Sequence, residues 1–288
     1  MIVSMEPDAG RIKTVVFTLF SLVAFAANSV FCRLALSEAA IDPAGFTTIR
    51  LASGAATLFL ITALFTKRPR AETRTGWLPA AMLFLYAVTF SFAYTRLGTG
   101  TGALILFGSV QTTMIVSAIK SGEKPNLPVW LGLFLALGGL VYLVLPGLSA
   151  PSPKGFVLMA AAGIAWGRYT ILGRGTVNPI LDTTRNFIRS LPFILSVCLI
   201  SLPSIHLTAE GVILAVISGS LASGLGYVGW YTALRGLSVI RAASVQLSVP
   251  VLAALGGVVF LSETVSFQLL LAAIMILGGI GLSMTGRG

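Results

Sequence analysis

The chain has 288 residues, 56% of them hydrophobic and only 10% charged, with a net charge of +10. A soluble domain carries about a quarter charged residues, so the composition excludes an ordinary soluble enzyme, and disorder needs the opposite balance. In a soluble chain the positive charge would point to nucleic acid. In a membrane chain it marks cytoplasmic loops, and no nucleic-acid partner is expected.

At about 20 apolar residues per crossing plus a short loop, the length holds about ten helices in a lipid bilayer. Apolar runs fall near residues 14–36, 43–66, 77–96, 100–120, 127–146, 155–174, 185–203, 210–235, 239–261 and 266–286. Their breaks carry loop chemistry, such as Asp42-Pro43, Lys67-Arg68-Pro69-Arg70, Glu123-Lys124-Pro125 and Asn178-Pro179. The first run follows Arg11 and Lys13 and contains Ala24-Phe25-Ala26, which looks like a signal peptide with its cleavage site. Because it continues unbroken to Leu36, a retained helix is expected instead. Basic residues alternate in number from loop to loop. With the N-terminus inside, thirteen, among them Lys120, Arg174 and Arg235, face the cytoplasm, and Arg33, Arg96 and Lys154 face out. This bias is expected to place both termini in the cytoplasm.

In chain order, the first span carries Asn28 and the second Arg50. The third carries Tyr86, Phe90 and Tyr94 at four-residue spacing, one stripe of a helix. Tyr86 lies ~14 Å from its helix start, too deep for the interfacial belt that suits Trp77 and Trp130. The fourth span carries Ser109 and Gln111. The sixth carries Trp166, Arg168 and Tyr169, the seventh Arg189 and the eighth Tyr227, Trp230 and Tyr231. The ninth carries Ser244, Gln246 and Pro250. Arginines in hydrocarbon face protein or water. Arg189 is near enough to a helix end to snorkel, whereas Arg50 and Arg168 sit deeper and read as gating or structural charges.

The amides and hydroxyls of Asn28, Ser109, Gln111, Ser244 and Gln246 can serve as helix–helix glue. Combined with Tyr86, Tyr94, Trp166 and Tyr227, they are expected to line a central apolar cavity with a few polar contacts. Such a cavity suits an amphipathic small-molecule substrate. Gly98-Thr99-Gly100-Thr101-Gly102 lacks the Lys-Ser/Thr of a phosphate loop and reads as a connector. Gly219, Ser223, Gly226 and Gly278-Gly279 read as close-packing positions. Cys32 and Cys198 lie in apolar runs and His206 is the sole histidine, so neither a metal site nor a cofactor is expected.

The chain compares with itself at an offset near 140. Glu123 aligns with Glu263, Gly138-Gly139 with Gly278-Gly279 and, one residue off, Arg50 with Arg189. Ser109-Val110-Gln111 and Ser244-Val245-Gln246 match only at another offset and are set aside. Two halves, residues 1–148 and 149–288, then hold five helices each. An odd number makes the second half enter the membrane inverted, a transporter plan with its site between the halves. The expected fold class is thus an all-α integral membrane protein of ten transmembrane helices in two inverted five-helix repeats.

Ten helices in two halves, Arg50-Leu51 in the second, Trp166-Gly167 in the sixth and Pro250…Glu263 at the ninth resemble the drug/metabolite transporter superfamily, EamA type. The chain is most similar there to the YddG-type bacterial exporters of aromatic amino acids and related metabolites. The resemblance implies amino-acid export by alternating access. One departure is Val110 where the repeat places Pro250, so the hinge that a proline gives the ninth helix is absent from the fourth. All nine acidic residues fall in loops or at helix ends, which favours a facilitator over a proton-coupled antiporter. A drug or nucleotide-derivative carrier, with Arg50 and Arg168 as anion contacts, is the alternative within transport. An intramembrane protease would need a Ser–His pair or paired aspartates in the spans, and the sequence offers neither. A non-transporting scaffold is the remaining competitor.

Overall fold

The computed structural model describes residues 6–65, 76–121, 126–144, 151–237 and 248–285, together with 239, 242, 245 and 246. Ser244, Glu123, Arg241 and the Lys67–Arg70 basic cluster lie outside them. The helices are α1 (Glu6–Ser37), α2 (Pro43–Phe65), α3 (Trp77–Tyr94), α4 (Thr99–Lys120), α5 (Leu127–Val144), α6 (Pro153–Gly173) and α7 (Pro179–Ser201). They are followed by α8 (Ala209–Leu234), α9 (Ser248–Leu261) and α10 (Phe267–Thr285). Among the described residues, seven are long and apolar enough to cross a membrane, and α5, α9 and α10 contain shorter apolar stretches. Their order and number among the described residues match the ten expected helices. No strand is present among the described residues, only an isolated bridge between Ile41 and Leu207.

The starts of most helices are written locally. Asp42, Asn126, Ser152, Asn178, Thr208 and Ser266 each accept a backbone N–H from the first turn of α2, α5, α6, α7, α8 and α10 respectively. Short polar side chains do this because the first N–H groups of a helix have no partner within it. Pro153 and Pro179 occupy the first turns of α6 and α7, where a missing N–H costs nothing. The Asn178 cap starts α7 six residues before the expected 185, because the apolar run alone does not register the polar first turn. Pro250 lies in the first turn of α9, just after a turn at Gln246 that follows the helical residues Val239, Ala242 and Val245.

Helix contacts repeat under exchange of each helix with the one five places on. α3 packs on α6 as α8 packs on α1, α4 on α6 as α9 on α1, and α2 on α8 as α7 on α3. The pairs α2–α7, α4–α9 and α5–α10 join equivalent helices. The aligned glycines behave the same way. Gly139 of α5 lies against Met275 and Ile276 of α10, and Gly279 of α10 lies against Gly132 and Ala136 of α5. The largest fully buried side chains include Trp230, Arg50, Tyr169 and Tyr227, so the core is aromatic and built around a charge.

Candidate functional site

α2 carries Arg50 into the bundle on the side that meets α3 and α8, and its residue exposure is 1%. Its Nε donates to Ser223 Oγ at 2.9 Å, and its Nη2 donates to Tyr227 Oη at 2.9 Å and Tyr86 Oη at 3.3 Å. The guanidinium carbon lies 5.2 Å from the Tyr86 ring centre and 5.1 Å from that of Phe90, within cation–π range. Asn28 of α1 joins the network, donating to Tyr86 Oη at 3.3 Å and accepting from Ser218 Oγ at 2.5 Å.

Ser218 and Ser223 reach this position through a change of helix type. Residues Ser218–Leu225 in the middle of α8 form a π-helical segment of sequence SGSLASGL. Small residues allow the wider turn and the close crossing, where Gly219 sits against the Arg50 carbonyl and Gly224 near Gly54. Such segments recur at functional sites because they turn side chains to positions an α-helix does not offer.

Trp166 of α6 stands at the centre of a ring cluster. Its centroid is 4.6 Å from Tyr227, 5.1 Å from Tyr86, 5.3 Å from Phe25 and 5.6 Å from Tyr169. Its indole N–H donates to Gln246 Oε1 at 3.2 Å, and the Gln246 amide N–H faces the Met114 sulfur at 4.0 Å. Phe25, Ser29, Tyr86, Phe90 and Trp166 enclose, with two α4 residues, a void of about 10 Å³. A separate cavity of about 140 Å³ lies on the face that carries the termini, bordered by Met114, Ser117, Thr170, Arg174, Leu234 and Ala242 among others. Met114, Gln246 and Trp166 thus form a layer between this vestibule and the central void.

Of the residues named from sequence, Asn28, Arg50, Tyr86, Trp166, Tyr227 and Gln246 come together. Tyr94 is fully buried but lies toward the opposite face, its hydroxyl donating to Thr99 O at 3.4 Å. Ser109 lies half-buried at the α4–α6 crossing beside Gly163, and Gln111 is buried on α4. Arg168 does not turn inward. Trp166, Tyr169 and Thr170 take the buried face of α6 and leave Arg168 exposed, close enough to the helix end for its head group to snorkel. Arg189 is half-buried near the termini face, donating to Gly76 O at 3.3 Å. The expected open hollow is closed as well: its own rings fill it, against roughly 300–1,000 Å³ for a ligand pocket.

Sequence reasoning missed Phe25, Phe187, whose ring centre lies 5.8 Å from that of Tyr227, and Ser218 and Ser223 as site residues, and two seals on the face opposite the termini. In the first seal, Glu263 accepts the Thr99 N–H at 2.9 and 2.7 Å and the Thr99 hydroxyl at 3.1 Å. Arg33 donates to Glu263 at 3.3 Å and to the Tyr94 carbonyl at 2.9 Å. In the second, the Asp42 N–H donates to His206 O at 3.0 Å, the His206 N–H to Asp42 Oδ2 at 3.1 Å, and the Thr208 hydroxyl to Ala40 O at 2.7 Å. Both seals join one half of the chain to the other. An in-span arginine demands partners, so Arg50 itself was the signal for the buried hydroxyls. No comparable signal pointed to the seals.

A bundle of apolar helices paired across a pseudo-two-fold, with a polar–aromatic centre between halves, is the architecture of a membrane transporter. The chain matches the EamA-like transporter family over residues 12–145 and again over 153–285, and it belongs to that family. It is 47% identical to an uncharacterized protein of Pseudomonas aeruginosa over 96% of both chains. It is 26% identical to an uncharacterized transporter of Archaeoglobus fulgidus, over 94% of this chain and 97% of the relative. A protein named as a probable amino-acid metabolite efflux pump in Salmonella typhimurium is 25% identical over 72% of this chain and 78% of its own. One crystal structure superposes with a TM-score of 0.70 at 18% identity, covering 95% of this chain and 97% of the other, a likeness of fold. The protein is therefore a multi-span membrane transporter of the drug/metabolite superfamily.

Proposed function

We propose that the protein exports aromatic and other neutral amino acids, or related small metabolites, by alternating access across a bacterial inner membrane. Both termini lie in the cytoplasm on this reading, and residues 1–148 and 149–288 act as the two moving halves. The observation that carries the reading is the ring cluster of Phe25, Tyr86, Trp166 and Tyr227, contributed by both halves and edged by a few polar groups. An aromatic solute entering from the vestibule would replace contacts the rings now make with one another, so opening costs little once the solute is in place. Similarity to the Salmonella efflux pump supports the same substrate class.

Proton coupling is not part of the proposal. Glu6 and Asp8 stand in the first turn of α1, and Glu38, Asp42, Asp182, Glu210 and Glu263 lie at helix ends or in loops, away from midspan. In proteoliposomes, counterflow of labelled phenylalanine is expected above the protein-free background, with competition by other large neutral amino acids. Absence of exchange for every aromatic amino acid would reject the substrate class. A second reading, a carrier of anionic drugs or nucleotide derivatives, is favoured only by the buried charge of Arg50.

A further inference from the structure

Arg50 is costly as a purely structural residue. Ser223, Tyr86 and Tyr227, the acceptors around it, are neutral hydroxyls, and Nη1 has no partner among the described residues. A guanidinium buried to this degree normally meets a carboxylate, because its lost hydration is otherwise uncompensated. None of the described acidic side chains reaches midspan. Packing α2 against α8 needs no charge, since Gly54, Gly219 and Gly224 already permit the close crossing.

We infer that Arg50 is the anion anchor of the translocation site and takes the carboxylate of a solute whose aromatic or apolar body lies against Phe25 and Trp166. The inference rests on the transport reading above and deepens it. Three observations converge. The Tyr86 and Phe90 rings that flank the guanidinium also enclose the central void, so the two are neighbours. The Ser29 hydroxyl, which interacts with the Tyr94 phenol, adds a buried polar group to the wall of the same void. The guanidinium keeps a planar set of donors in which Nη1 is unused, the geometry that pairs with a carboxylate. One cation balances one negative charge, which selects a monocarboxylate over a phosphate dianion. A cationic amine without a carboxylate is repelled.

The test uses the full-length protein in detergent and in proteoliposomes, with phenylacetate, phenethylamine and phenyl phosphate at matched ionic strength. Phenylacetate is expected to raise the thermal midpoint and to compete with labelled phenylalanine, and phenethylamine to do neither. In the Arg50→Met variant, the apparent affinity for phenylacetate is expected to fall by about tenfold or more, and Arg50→Lys to recover part of it. If the methionine variant does not fold, the wild-type series decides alone. Equal protection by phenethylamine overturns the anchor, and stronger protection by phenyl phosphate overturns the monocarboxylate. Protection by phenylacetate without exchange of any aromatic amino acid would reject the export reading and leave the anchor standing. Phenylalanine exchange unaffected by phenylacetate would do the reverse.

Discussion

A guanidinium held by three hydroxyls organises the middle of this molecule, and its neighbours differ in what they contribute. Tyr227 supplies the shorter of the two phenol bonds to Nη2 and packs on Trp166. Tyr227→Phe keeps the ring and removes the acceptor, so it is expected to destabilise by about 1–3 kcal/mol, read as a lower thermal midpoint. Tyr86 also accepts from Asn28, so it ties α1 to α2 through α3. Arg50, Tyr86 and Trp166 were legible in the sequence because charge and amphipathic rings at midspan need an explanation. Ser218 and Ser223 were not, because a serine among small residues reads as packing until the helix type is known. Arg168 misled for a related reason: depth along the chain does not fix which face of the helix a residue takes.

Helices report most of their own boundaries through short polar caps, and α4 is the informative exception. Gly98 at its start offers no side-chain acceptor, and Glu263, from the connection between α9 and α10, serves in its place. A carboxylate at a helix N-terminus is favoured by both the free N–H groups and the helix dipole. Borrowing that cap from the other half makes the first turn of α4 sensitive to how the halves sit. Glu263→Ala is expected to cost roughly 1–2 kcal/mol and to loosen the seal opposite the termini. A cysteine placed at Ser29 in a background lacking Cys32 and Cys198 should then react faster with a membrane-impermeant maleimide. The paired glycines of α5 and α10 give a sharper contrast. A Cβ at Gly279 would lie 2.5 Å from Gly132 O and 2.6 Å from Ala136 N, whereas one at Gly278 meets nothing within 4 Å. Gly279→Ala is expected to destabilise by roughly 1–3 kcal/mol through forced separation of the helices. Gly278→Ala is expected to be neutral or to stabilise by up to about 1 kcal/mol, as alanine favours helix. Thermal unfolding in one detergent checks both.

For the whole molecule, the contact pattern under exchange of halves has a mechanical consequence. On the proposed alternating-access reading, two similar halves would exchange conformations at little net cost, so closing one face while opening the other would be close to a symmetric rearrangement. The state described here is laced on the face opposite the termini by Arg33–Glu263 and Asp42–His206 and holds a vestibule on the termini face. The symmetry is incomplete where function is proposed. Arg50 is buried among rings, and its repeat partner Arg189 is half-buried beside Gly76. Collapsing the pH gradient across proteoliposomes is expected to leave phenylalanine counterflow largely unchanged. Loss of exchange would overturn the facilitator reading.

The sequence by itself determined the succession of helices, the local caps of most of them, the two-repeat plan and the family, because hydrocarbon forces backbone satisfaction within each helix and leaves a periodic, local record of it. It also named six of the residues that meet at the centre. The tertiary structure decided which face each helix turns inward, the π-helical turn of α8, the cap that α4 borrows and the closure of the cavity by its own rings. Those depend on contacts between residues far apart in the chain, as between Arg50 and Tyr227 or Thr99 and Glu263, and such pairings leave no local trace.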